Sequence, residues 1–443
     1  MNVIFLTLAC IANVEERGIY HDLMRKFRDE GHNVYIVTSG ERRLRQPTGL
    51  KESNGVHILN VKTLNIQKTN IVEKGIGTLM LENQFKTAIK KYLNSVHFDL
   101  ILYSTPPITF PNVIAYLKRR NPQAKSYLLL KDIFPQNAVD LGMMSTSGVK
   151  GLLYRFFRRK EKELYALSDY IGCMSPANVS YVIRHNPEVA PSKVEVAPNS
   201  VELCHTDSTD YNAVRNRYGL PIDKPVFIYG GNLGKPQGIP FLMKCLEANA
   251  KRTECHFVVI GTGTELPKLK AWYNSKFKVE SLKLKDSAVV DSGKLGEHLS
   301  DANSTLVTDS KLSILNSKLS ITVMEGLPKA EYDELVRACD VGLIFLDHRF
   351  TIPNFPSRLL SYLENKMPVL CATDPNCDMG SIAEENGFGF WCESNSVEAF
   401  TAILDRIIAA DRQAMGENGY KFLCENYTVE NTYNAIVSHL VQG

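Results

Sequence analysis

The chain has 443 residues, of which 44% are hydrophobic and 22% charged. That balance belongs to a globular protein of two or three domains and excludes disorder, collagen-like repeats and low complexity. A net charge of +3 is too mild to mark a nucleic-acid binder, which concentrates its basic residues on one face.

No segment carries the roughly 18 to 20 continuous apolar residues of a spanning helix. The run Val3 to Ala12 has the apolar core of a secretion signal, but no Lys or Arg precedes it and a helix follows at once. It reads as a buried first strand. None of the ten Cys forms a Cys-x-x-Cys or takes zinc spacing with a His, and most lie in apolar runs. A reducing, cytoplasmic location without disulfides is expected.

Taken in chain order, strands and helices alternate. Asn2 to Ala9 reads as a strand, and Glu16 to Asp29 as a helix with Ile19, Leu23, Met24 and Phe27 on one face. Gly31 ends it before the strand Val34 to Thr38, which makes a βαβ unit. The strand Leu100 to Tyr103 leads into Ser104-Thr105-Pro106-Pro107, and Ser126 to Leu130 ends at Lys131-Asp132. Tyr170 to Met174 and Val194 to Val196 follow, and the polar stretch Thr206 to Lys224 reads as a linker. A second series takes Val226 to Tyr229, His256 to Ile260, Leu343 to Leu346 and Pro368 to Ala372 as strands. Residues 279 to 320 interrupt it with little periodicity and read as a surface insertion. The expected fold class is α/β, with two Rossmann-like lobes whose strand ends face a central crevice, where open parallel sheets bind ligands.

Five segments could carry chemistry. Gly230-Gly231-Asn232-Leu233-Gly234-Lys235 lies between a strand and a helix. Glycines there let backbone N–H groups reach a diphosphate, with Lys235 as a nearby cation, or they serve a tight turn by sterics alone. Gly261-Thr262-Gly263-Thr264 is similar, with Thr264 as a possible N-cap. In Pro356-Ser357-Arg358, Ser357 is suited to cap a helix. A cation in a first helical turn opposes the dipole, so Arg358 suggests an anion nearby unless it is an ordinary surface residue. Lys131 and Asp132 either face the crevice, with Asp132 accepting from or orienting a hydroxyl, or form a Lys–Asp pair or a helix cap. The segment Val149 to Leu167 sets six cations beside Leu152, Leu153, Phe156 and Phe157. It reads as a membrane-surface helix or as a helix packed on its own sheet with a solvated basic face.

The order and spacing of these pieces resemble glycosyltransferase family 4, with the GT-B fold, and most of all its fucosamine-transferase-like bacterial branch. Gly31-His32-Asn33-Val34, Ser104-Thr105-Pro106-Pro107, Lys131-Asp132-Ile133-Phe134-Pro135, Pro198-Asn199-Ser200-Val201-Glu202, the Gly230 to Gly238 turn, and Pro356-Ser357-Arg358 before Pro368-Val369 carry the likeness. The resemblance implies an acceptor domain over 1–205, a nucleotide-sugar domain over 222–415 with the insertion, and a helix over 416–443 crossing back. It implies a retaining transfer from a UDP-sugar, such as a UDP-N-acetylated deoxyhexosamine, to a lipid-linked or saccharide acceptor. Capsule or O-antigen synthesis at the inner membrane face would be the setting, without metal or other cofactor. The donor site would take Gly230, Gly231, Asn232, Lys235, Gly261, Thr262, Leu327, Arg358, Ser361 and Glu364. The acceptor side would take Ser104, Lys131 and Asp132, with Asp132, Lys235 and Arg358 catalytic. Lys150, Arg155, Phe156, Arg158 and Arg159 would meet an anionic membrane.

The chain departs from the family pattern in three places. The usual pair of Glu with seven residues between them is Pro353 and Ser361 here, with Glu364 about a turn further on as a substitute ribose ligand. The Arg and Lys of the second-lobe glycine turn are Asn232 and Gln237, and Val14 to Gly18 replaces the first glycine-rich turn. A UDP-sugar epimerase on the same fold, or a non-catalytic nucleotide-sugar-binding scaffold, are the alternatives.

Overall fold

The computed structural model describes residues 1–66, 69, 71–203, 210–278 and 320–440. The first lobe is an eight-stranded sheet of β1 (Asn2–Leu6), β2 (Asn33–Glu41), β3 (Gly49–Ser53), β4 (Val56–Thr63), β5 (Leu100–Ser104), β6 (Lys125–Leu130), β7 (Tyr170–Cys173) and β8 (Val194–Val196). Its order is β3-β4-β2-β1-β5-β6-β7-β8, and every neighbouring pair is parallel except β3 with β4. The second lobe is a six-stranded parallel sheet of β9 (Val226–Asn232), β10 (His256–Thr262), β11 (Ile321–Glu325), β12 (Val341–Phe345), β13 (Val369–Thr373) and β14 (Gly389–Glu393). Its order is β11-β10-β9-β12-β13-β14. Strands such as Val3–Leu6 and Phe257–Ile260 are buried on both faces, which is why they read as unbroken apolar runs.

The sequence expectation of two α/β lobes holds, with differences of local cause. The first helix starts at Ile19 rather than Glu16. Residues 14 to 18 are held as a loop across its end, where Arg25 Nη1 donates to the carbonyls of Val14 (2.6 Å) and Glu16 (2.8 Å). The stretch expected to be a linker contains the helix Tyr211–Arg217. It is anchored on the second lobe by Arg215, which donates to the Ala338 carbonyl at 2.7 Å and pairs with Asp340 at 2.6 Å. The hairpin β3–β4 was not anticipated. It turns through Asn54 (φ 48°) and Gly55 (φ 76°), the residue pair suited to a tight two-residue loop. The expected insertion, 279 to 320, lies outside the described residues except for Ser320. The helix Val429–Ser438 packs on the first lobe, where Tyr433 meets Phe27 at 4.9 Å between ring centroids and shares a 2.8 Å hydrogen bond with His32. Among the described residues no helix is long and apolar enough to cross a membrane.

The two sheets meet through the loops at their carboxyl ends. After β6, Asp140 accepts from the Thr351 backbone N–H (2.8 Å) beyond β12. After β7, the Ala177 N–H donates to Asp378 (2.9 Å) beyond β13, and Asn178 donates to the Pro353 carbonyl (2.8 Å). After β8, Asn199 donates to Ser357.

Tyr362, fully buried, ties the helix Arg358–Glu364 to the sheet. Its hydroxyl donates to the Ile228 carbonyl (3.1 Å) and accepts from the Gly230 N–H (3.2 Å). Tyr362→Phe strands both backbone groups and is expected to cost about 1–3 kcal/mol of unfolding free energy. Urea denaturation measures this, and a loss below about 0.5 kcal/mol contradicts the role.

Candidate active site

On the second lobe, β9 and β10 run side by side to their ends, with Gly231 opposite Gly261 and Asn232 opposite Thr262. A side chain on Gly261 would strike the Gly231 carbonyl, and Gly231 itself has φ +115°. Steric need alone therefore accounts for Gly261. Leu233 then turns back, its N–H donating to the Thr262 carbonyl at 2.8 Å. Lys235 stands exposed in the short turn Lys235–Gln237, and its side chain has no hydrogen-bond or ion-pair partner among the described residues. Asn232 and Thr262 are exposed beside it, and Leu327, just past β11, is half-buried. Thr264 is not the cap expected of it: the residue at the start of the helix Leu266–Tyr273 is Glu265, without a side-chain capping bond.

Arg358 opens the helix Arg358–Glu364. Ser357 does not cap that helix, contrary to expectation, because its hydroxyl accepts from Asn199 of the first lobe instead. The Arg358 guanidinium lies over the Tyr229 ring, 4.2 Å from its centroid, and Nη2 donates to Gln237 Oε1 at 2.7 Å. Tyr229 is fixed in turn, its hydroxyl donating to the Asn232 carbonyl (2.8 Å) and lying 3.3 Å from Gln237 Oε1. Nη1 is closed off from solvent and has no hydrogen-bond partner, and no carboxylate pairs with Arg358 among the described residues. Arg remains charged in any such setting. A buried charge held only by neutral groups is costly, and an oxyanion beside Nη1 offsets that cost. Ser361, half-buried, and Glu364 lie on the same helix. Glu364 pairs with Arg17 of the first lobe.

On the first lobe, Thr105 pins the loop after β6, its hydroxyl accepting from the N–H groups of Lys131 (3.0 Å) and Asp132 (3.4 Å). The Lys131 ammonium turns away to the Ala197 carbonyl at 3.1 Å, and burial pushes its pKa down to about 7. Asp132 forms no ion pair with it or with any other described residue. Nor does Asp132 cap the next helix, Gln136–Asp140, which starts from Pro135. Both bland readings of Lys131-Asp132 thus fail. Burial pushes the Asp132 carboxyl up to about 6, and the Tyr20 phenol lies close enough to feel its charge. Ser104, buried, donates to Thr7 at 3.2 Å.

The helix Lys150–Leu167 packs its Phe157 edge-on against Phe134, 5.1 Å away in the Asp132 loop. Its basic face is largely paired within the lobe. Arg158 binds Glu161, the His185 carbonyl and Asn186, while Arg159 binds Glu163 and Lys162 binds Glu188. Arg155 is exposed with no partner among the described residues, beside exposed Leu152 (59%), Leu153 (52%) and Phe156 (38%). The side chain of Lys150 lies outside the described residues.

Sequence reasoning missed Tyr229 and the pairing of Arg17, and it read Gln237 only as a lost Lys. Buried polar atoms without a hydrogen-bond partner occur on both lobes, among them Asn137 Oδ1 and Asn199 Oδ1 on the first and Arg358 Nη1 on the second.

Because burial raises the Asp132 pKa from its ordinary 3.8, the folded state holds that proton more tightly than the unfolded chain does. This contribution to stability is full below about pH 4 and is lost as pH rises through about 6. Asp132→Asn, neutral throughout, is expected to be more stable than the parent by about 1–3 kcal/mol near pH 8, with the gap closing below about pH 4. Denaturation across that range checks it, and a gap independent of pH contradicts it.

No family model matches the chain. It is 22% identical over 377 residues, 82% of its length and 78% of the relative's, to the probable glycosyltransferase WbjE of Pseudomonas aeruginosa. It matches sucrose-phosphate synthase of Thermosynechococcus elongatus with a TM-score of 0.68 at 13% identity, over 100% of this chain and 98% of that one. It matches HepE of Anabaena, solved in complex with UDP and glucose, with a TM-score of 0.63 at 14% identity over 100% of both chains. At these identities the solved structures bear on architecture alone, and the architecture is the two-lobed, parallel-sheet GT-B fold.

Proposed function

We propose that the chain is a glycosyltransferase that moves a sugar from a nucleotide donor, and that it follows family 4, in its fucosamine-transferase-like branch, in using a UDP-sugar with retention. The observation that carries the reading is Arg358, whose Nη1 is closed off from solvent and unpartnered and whose guanidinium lies over Tyr229, next to Gly230-Gly231 at the end of β9. The names of a relative, a probable glycosyltransferase, and of a similar structure, HepE with UDP and glucose, agree with it.

In this reading the diphosphate of the donor lies against Arg358, Lys235 and the exposed backbone of Gly231, the Gly230 N–H being engaged by Tyr362. Negative charge grows on that diphosphate as the sugar leaves, and fixed donors stabilise it without reorganising. Arg358 is held in place by Tyr229 and Gln237 before any substrate arrives. These groups supply the positive charge themselves, so we propose that transfer needs no metal. Asp132 faces the acceptor from the other lobe. With a pKa of about 6 it is mostly ionised near neutral pH and can accept a hydrogen bond from the acceptor hydroxyl.

The exposed Leu152, Leu153 and Phe156 with Arg155 suit the interface of an anionic membrane. Their helix packs on the Asp132 loop through Phe157 and Phe134, so a lipid-linked acceptor held there lies next to the acceptor residue. Leu152→Ser/Phe156→Ser is expected to reduce sedimentation with anionic liposomes by about tenfold. Unchanged sedimentation removes the membrane part.

For the chemistry, Arg358→Ala is expected to weaken UDP binding by about tenfold or more. Asp132→Ala is expected to leave UDP affinity unchanged and to lower transfer by about 100-fold or more. Loss of UDP affinity in Asp132→Ala but not in Arg358→Ala reverses the lobe assignment. Conversion of a UDP-sugar without any acceptor points instead to an epimerase.

A further inference from the structure

The helix Arg358–Glu364 presents two faces. Arg358 and Tyr362 turn into the second lobe, onto Tyr229 and onto the backbone of β9. Ser357, Ser361 and Glu364 follow at i, i+4 and i+7, which forms one stripe along a helix. Both ends of that stripe touch the first lobe, Ser357 through Asn199 and Glu364 through Arg17. The Glu364 side chain is 8% exposed and that of Arg17 is 27% exposed. A carboxylate so far withdrawn from water needs compensating partners, and Arg17 is one of them.

Arg17 is presented by a loop that is itself tied down. Arg25 grips the carbonyls of Val14 and Glu16, and the Gly18 N–H donates to Asp22 at 3.0 Å. Arg25 is fixed in turn by Asp22 (2.6 Å) and by Glu202 (2.7 Å) beyond β8. The position of Arg17 is thus set by the first lobe, and that of Glu364 by the second.

We propose that Arg17 is a positioning residue whose ion pair with Glu364 sets the closure of the two lobes, and with it the span between Asp132 and Arg358. The proposal rests on reading the crevice as the nucleotide-sugar site. A donor whose diphosphate lies at Arg358 presents its sugar to an acceptor at Asp132 only at one lobe spacing. Arg17 acts on that spacing through Glu364 and touches no reacting atom.

The test is small-angle scattering of the full chain, with UDP affinity measured in parallel. Arg17→Glu sets two acids face to face and is expected to raise the radius of gyration and to weaken UDP binding by about three- to tenfold. Arg17→Gln, which removes the charge without reversing it, moves both in the same direction by less. Arg17→Lys stays near the parent radius. The swap Arg17→Glu/Glu364→Arg restores the compact radius. A radius unchanged in a folded Arg17→Glu chain, or not restored by a folded swap, overturns the strap. The radius alone decides this point. If the parent chain binds no UDP while the radii still follow the charge pattern, the nucleotide reading fails and the strap stands.

Discussion

A guanidinium withdrawn from water with no carboxylate beside it is the feature around which the second lobe is arranged. Arg358 is carried on a helix whose Tyr362 is pinned to the backbone of β9, so its place relative to the Gly230-Gly231 turn is fixed by the sheet. Tyr229 supplies a ring face and Gln237 a single acceptor, and both are neutral. A carboxylate in either position would satisfy the charge internally and leave nothing for a ligand. On the proposed function, the arrangement holds its positive charge ready for an anion.

The rest follows from having two such sheets face to face. A parallel sheet with helices on both sides delivers its loops to one edge, the carboxyl ends of its strands. The loops after β1, β6, β7 and β8 therefore meet those after β12 and β13. Asp132 and Arg358 come from different lobes, and so do the contacts that hold those lobes together. Chemistry that needs both residues is sensitive to the spacing between lobes, and the polar seam along Ser357 and Glu364 sets that spacing.

Much of this architecture is legible in the sequence, because a strand buried on both faces must be an apolar run. β1, β5, β6, β10 and β12 each read that way. The hairpin β3–β4 was missed although Asn54-Gly55 marks its turn, since β3 is short and largely exposed and carries no apolar run. The helix Tyr211–Arg217 hides in a polar stretch because its main anchor is a charged side chain, Arg215, reaching a carbonyl and a carboxylate of the second lobe. Arg358 was legible as a cation misplaced at a helix start. Its partner Gln237 was not, since 121 residues separate them. The pairing of Arg17 with Glu364 spans 347 residues and has no local signature. Residues drawn together by the meeting of two sheets leave no periodic trace in either one.

The nucleotide site at Arg358 is tested most directly by calorimetric titration of the intact chain with UDP, ADP and GDP in the presence of a chelator. Saturable, selective binding of UDP is expected, with one site per chain and no need of metal. Selective binding of another nucleotide would keep the anion site at Arg358 and change the class of donor. No binding of any of the three would contradict the assignment of Arg358 and the Gly230-Gly231 turn as a nucleotide site.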